Sequence, residues 1–195
     1  MVFGADVYHS GKNEQDVPSI AAVCASMDQD AIVYGHTYSV NKKPRNETIE
    51  NLEEMVVDLI TAFRNRNRVL PQRILFYRDG VSEGQFKKVI EEEVKAMKQA
   101  LKRVCGNQIP KLTFVIVQKR HNTREADRLG NCKPGTVVDT GIVARHEFDF
   151  FLQSHASLQG TARSAHYRVL VDENKFNANS MQELTNKLCY LNARF

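Results

Sequence analysis

The stretch YRDGVSEGQF, residues 77–86, decides how this chain is read. It follows the apolar run Ile74 to Phe76 and precedes a long helical pattern, so Asp79 stands where a buried strand ends and a turn begins. Open α/β sheets carry their chemistry at the carboxyl ends of strands. Gly80 allows the chain to reverse, and Ser82 with Gln85 forms an S-x-x-Q capping box ahead of Phe86, the first residue of the helix's apolar face. Asp79 also fits an ordinary turn or cap residue.

Downstream, Phe86, Ile90, Val94, Met97, Leu101 and Val104 recur at helical spacing and predict a helix from Glu83 to about Val104. Leu112 to Val117 then reads as a central strand covered on both faces. Upstream, Ile49, Leu52, Val56, Leu59, Ile60 and Phe63 predict another helix, starting near Asn46 as N-cap, with Glu47 in its first turn. An acid there fits the helix dipole as well as a site. The apolar start, residues 1–9, the segment Pro18 to Ser26 and the segment Ile32 to Val40 read as three strands of an antiparallel meander. Short strands at Thr136 to Asp139, Phe148 to Leu152 and around Tyr167 to Leu170 follow, and a last helix is capped by Asn179 or Ser180. The expected fold class is α/β, a mixed central sheet flanked by helices.

The 195 residues carry a net charge of +4, unevenly spread: residues 1–60 hold 4 basic and 10 acidic side chains, and the remainder 23 basic and 13 acidic. That asymmetry fits a metal site beside a polyanion groove, and equally a solvated charged surface. The cysteines Cys24, Cys105, Cys132 and Cys189 form no C-x-x-C pair and read as free thiols, which argues against a zinc site. With no apolar run long enough for a bilayer and no leader pattern, the expectation is no membrane association and a place in cytoplasm or nucleus.

Asp6 interrupts the first strand, where a carboxylate needs hydrogen-bond donors or a cation. If that strand lies parallel to the strand of Asp79, the two acids converge. Their hard oxygens suit a pair of Mg²⁺ ions that activate a water and stabilise the leaving 3′-oxygen of a phosphodiester. Gln118 to Arg124, QKRHNTR, comes straight off a strand with several strong donors, as does the polar run with His155, Arg163 and His166. Both fit phosphate contacts, or plain solvated loops.

The ordered blocks GADVYH (4–9), YRDGVSEGQF (77–86), QKRHNTR (118–124), KPGTVVD (133–139) and FDFFLQSHASLQGTARSAHY (148–167) resemble the PIWI domain of a eukaryotic argonaute protein. The resemblance spans nearly the whole chain. It implies an RNase H-like fold, a guide RNA paired to a complementary target RNA, and target cleavage with Mg²⁺, or Mn²⁺ as substitute, in the members that slice. By motif, Asp6 and Asp79 match the first and third acids of the catalytic tetrad, and Glu47 in RNETIENL matches the mobile glutamate. Lys119, Arg120, Arg124, His155 and Arg163 match positions at the guide backbone. Asn122 stands where many relatives have histidine. On the same basis the chain corresponds to a partial PIWI domain. The N-terminal, PAZ and middle domains of an argonaute, and the fourth ligand near its C-terminus, are not among these residues, and the isolated piece is expected to be inactive. The expected function of the parent is a small-RNA-guided endoribonuclease of RNA silencing, with guide-dependent binding without cleavage as the alternative. FRNRNRVLP, residues 63–71, lacks the aromatic and lysine pattern of relatives that bind a tryptophan-rich silencing scaffold protein, so that partner is not predicted.

Overall fold

A computed structural model describes residues 1–11, 17–42, 46–121, 123, 131–144, 146–157 and 160–191. Among them, eight strands form one sheet in the order β3-β2-β1-β4-β5-β8-β7-β6. The meander is β1 (Val2–Tyr8), β2 (Ile20–Ser26) and β3 (Tyr34–Val40), antiparallel throughout. Helix α1 (Leu52–Asn67) crosses to β4 (Arg73–Asp79), which pairs parallel with β1. A second crossover runs through α2 (Phe86–Val89), a π-turn (Ile90–Val94) and α3 (Lys95–Cys105) to β5 (Lys111–Gln118), parallel to β4. The remaining strands, β6 (Thr136–Val138), β7 (Asp149–Gln153) and β8 (Ala165–Asp172), extend the sheet antiparallel, and α4 (Ala178–Leu188) closes the described chain. This is the mixed sheet flanked by helices that the βαβ pattern predicts, matching the RNase H-like fold. No helix among the described residues is long and apolar enough to cross a membrane.

The two faces of the sheet are covered differently. Phe3, Phe76 and Phe114 sit side by side on β1, β4 and β5, their rings stacked with centroids 5.8 and 4.7 Å apart, beneath α1 and α3. A smaller cluster, including Leu75, Val115, Phe150, Tyr167 and Met181, fills the other face on the side of α4. Central strands buried on both faces are the reason β4 and β5 read as nearly continuous apolar runs.

Three local readings are corrected. Helix α1 begins at Leu52, not near Asn46, so Glu47 precedes the helix. The buried Asn41 amide donates to the carbonyls of Asn46 (3.0 Å) and Thr48 (2.9 Å), and Asn46 Oδ1 accepts from the Thr48 hydroxyl (2.9 Å). Side chains that satisfy the backbone in this way compete with helix formation. In the second crossover the π-turn rotates the apolar face, leaving Ile90 42% exposed and burying Val89 in its place. The last helix is capped by Asn177, whose side chain accepts from the Ser180 amide at 2.8 Å, rather than by Asn179 or Ser180.

Candidate metal and nucleic-acid site

The parallel register pairs Phe3 with Phe76 and Ala5 with Arg78, so one residue further Asp6 comes beside Asp79. Two rigid neighbouring strands thus deliver both carboxylates to the same end of the sheet. Asp6 is exposed, and its Oδ1 accepts from the Val7 amide at 2.8 Å. The turn after Asp79 is held from β5: the Gly80 amide donates to the Val117 carbonyl (3.3 Å) and the Gln118 amide group to that of Val81 (2.9 Å). Gly80 has φ +87°, and a Cβ there would stand 3.4 Å from Asp6 Oδ1. Glycine both permits the turn and keeps the space beside the Asp6 carboxylate open.

Asp6, Glu47 and Asp79 line one cleft of about 740 Å³, together with His9, Lys119 and Arg120. Lys119 Nζ donates to Asp79 Oδ2 at 2.6 Å and balances one negative charge of the acidic end. Glu47 Oε2 lies 3.0 Å from His9 Nε2, and His9 Nδ1 is 2.7 Å from the Ser19 hydroxyl. Among the described residues, no group of three His, Cys, Asp or Glu side chains is close enough to hold one metal ion. The cleft therefore gathers the three predicted acids, with Glu47 turned to histidine rather than joined to both aspartates.

Of the predicted phosphate contacts, Lys119 and Arg120 line the cleft and are exposed. His155 and Arg163 lie on the connection between β7 and β8, apart from the cleft lining; the His155 ring packs on Tyr190 at 4.6 Å and its Nε2 is 3.1 Å from the Cys189 carbonyl. Arg124 falls outside the described residues.

Sequence reasoning missed a buried ion pair behind the cleft. Arg78 and Glu93 are both 0% exposed, with Arg78 Nε 3.0 Å from Glu93 Oε2. Arg78 also donates through Nη1 to the carbonyl of Asp79 and through Nη2 to that of Glu47. Burial pushes the Glu93 carboxyl above the ordinary glutamate range, while the Arg78 guanidinium and the Ile49 amide act in the opposite direction. The signal available in the sequence was faint: an arginine inside an apolar strand needs a buried partner.

A Piwi domain model matches residues 1–195 of the chain. The chain belongs to the Piwi-domain family of argonaute proteins. This Piwi domain is 47% identical over 217 aligned residues to argonaute 5 of Arabidopsis thaliana, covering 100% of the chain and 22% of that protein. It is 43% identical to argonaute 18 of Oryza sativa subsp. japonica, covering 98% of the chain and 18% of that protein. The chain thus spans about a fifth of the length of these curated relatives. Among solved structures, the Piwi domain resembles the Kluyveromyces polysporus Argonaute crystallised with a guide RNA, with a TM-score of 0.89 and 34% identity over 97% of the chain and 23% of that one. Drosophila Piwi follows with a TM-score of 0.84 and 32% identity, over 97% of the chain and 26% of that one.

Proposed function

We propose that the protein carrying this Piwi domain is a small-RNA-guided endoribonuclease, cutting the target strand by metal-assisted phosphodiester hydrolysis with Asp6, Glu47 and Asp79 as its acids. The observation that carries the reading is the parallel pairing of β1 with β4, which brings two carboxylates to one cleft with a third acid on its wall. The guide RNA bound to the Kluyveromyces polysporus relative supports a guide and a complementary target as partners.

The donor set fits Mg²⁺, with Mn²⁺ as substitute: carboxylate oxygens are the hard ligands this cation takes, and the three acids line one cleft of about 740 Å³. When bound, two such ions supply a lowered water pKa and charge stabilisation at the leaving 3′-oxygen. Asp6 and Asp79 hold the cation side of the cleft on two strands that cannot shift independently. Glu47 completes the acidic wall when it leaves His9. Lys119 and Arg120 draw the phosphate backbone to the cleft without reading bases, since pairing with the guide supplies sequence specificity.

Guide-dependent binding without cleavage is the second reading. The Lys119–Asp79 contact and the His9–Glu47 contact favour it, because each engages an acid that cleavage requires. The experiment uses the full-length protein loaded with a defined 5′-phosphorylated guide, a fully paired target RNA and Mg²⁺, beside its Asp79→Ala variant. A single cut at a fixed distance from the guide 5′ end, lost in the variant, establishes the ribonuclease; tight target binding with no cut in either establishes the second reading.

A further inference from the structure

The acidic run Glu91, Glu92 and Glu93 reads as a solvated face, yet its members part ways. Glu91 and Glu92 are exposed and face Lys87 and Lys88 at 3.9 and 4.0 Å, whereas Glu93 is completely buried. All three lie on the π-turn Ile90–Val94, and Glu93 stands four residues before the buried Met97 of α3. One added residue turns all that follows by about 100° around the helix axis, and such turns are frequent at functional sites.

The buried carboxylate is fully engaged. Glu93 Oε1 accepts from the Ile49 amide at 3.0 Å and from Arg78 Nε and Nη2, each at 3.2 Å; Oε2 accepts from Arg78 Nε at 3.0 Å. Arg78 also donates to the carbonyls of Glu47 and Asp79. One ion pair therefore touches the backbone of two of the three candidate acids and of Ile49. Without the carboxylate, the guanidinium would be a buried charge with only neutral partners, a state the interior does not tolerate. It would draw in water or leave, and both carbonyls would lose their donor.

We infer that Glu93 is a positioning residue for the candidate metal site: through Arg78 and the Ile49 amide it fixes the segment bearing Glu47 against the end of β4. It touches no substrate. The geometry stands by itself, and its consequence for cleavage rests on the ribonuclease reading. The competing account is a buried pair that only stabilises the core.

Two variants separate these in the full-length protein. Glu93→Gln keeps the shape and removes the charge; Arg78→Met with Glu93→Leu removes both charges, a change that leaves stability near wild type when a buried pair serves packing alone. The readout is amide hydrogen exchange over residues 47–50 relative to β4 and α1 in the same molecule, so that general destabilisation cancels. The expected result is a rise of at least about tenfold in that ratio in both variants, with a fall in Mn²⁺ affinity measured by calorimetry and in the rate of guided cleavage. Should the double variant fail to fold, the ratio is read in Glu93→Gln alone. An unchanged ratio overturns the positioning role. A raised ratio in a protein whose wild type never cleaves keeps the positioning role and discards the ribonuclease reading.

Discussion

His9 Nε2 lies 3.0 Å from Glu47 Oε2, and the same histidine follows Asp6 by three residues at the end of β1. The segment that follows the strand of Asp6 thus also pairs with Glu47. His9→Ala removes the contact that keeps Glu47 from the two aspartates, and a part-exposed pair of this kind is worth up to about 1 kcal/mol. Single-turnover cleavage by the guide-loaded protein is expected to rise by up to about fivefold while target affinity stays constant. A rate equal to wild type, or a lower one, would mean that the His9 contact does not hold Glu47 back.

Lys119 and an incoming cation compete for the same oxygen of Asp79. The ammonium is 67% exposed, and pairs of that kind contribute up to about 1 kcal/mol. Lys119→Met is therefore expected to tighten Mn²⁺ binding by about fivefold in a calorimetric titration. The same variant should bind RNA more weakly and reduce the salt slope of binding by about one. Opposite signs on the two ligands are the signature to look for; weaker metal binding would reject the competition.

Phe76 stacks between Phe3 and Phe114 under the helical layer with 0% exposure. Phe76→Ala removes the middle ring of three and leaves a cavity, at a cost of about 3–5 kcal/mol. For a domain of this size the melting temperature is expected to fall by roughly 10 °C. Urea unfolding checks the energy, and a loss under 1 kcal/mol would show that the neighbouring rings close the gap.

Arg103 on α3 grips Glu54 on α1 with both guanidinium nitrogens, at 2.6 and 2.9 Å. The hydrogen bonds from Arg103 hold the Glu54 carboxyl below its ordinary value of 4.5. Because the folded value is depressed, the stabilisation is present above that ordinary value and is lost as pH falls through the folded one. Arg103→Ala should return the Glu54 titration, followed by NMR, to the ordinary range and remove that acid-side loss. The effect on stability at neutral pH is expected to be small, as both side chains are about half exposed.

Much of this architecture is legible from residue patterns. Ile74 to Phe76 and Leu112 to Val117 declare central strands because both faces are covered, and Asp79 follows as a strand-end acid. Asp6 stands out for the same reason: an acid in an apolar strand is conspicuous. Glu93 is hidden because three consecutive glutamates look alike as residue types, although its spacing from Met97 puts it on the buried face, and no propensity rule marks the π-turn it lies on. Glu47 reads as helical because the apolar period extends back to Ile49, whereas the Asn41 amide holds that stretch in another conformation. Side-chain bonds between residues distant in the pattern leave no periodic trace.

The pairing of β1 with β4 also sets an order of assembly. β2 and β3 follow β1 closely in the chain and can zip onto it early, but β4 must close a span of 72 residues, marked by the Met1 amine donating to the Arg73 carbonyl at 3.0 Å. Parallel pairing over such a distance is slow, because loop entropy is lost before any contact compensates for it. Until β4 arrives, the inner edge of β1 is an unpaired strand open to wrong partners. The two aspartates meet only when that edge is sealed, so the cleft matures in the same step that removes an exposed strand edge.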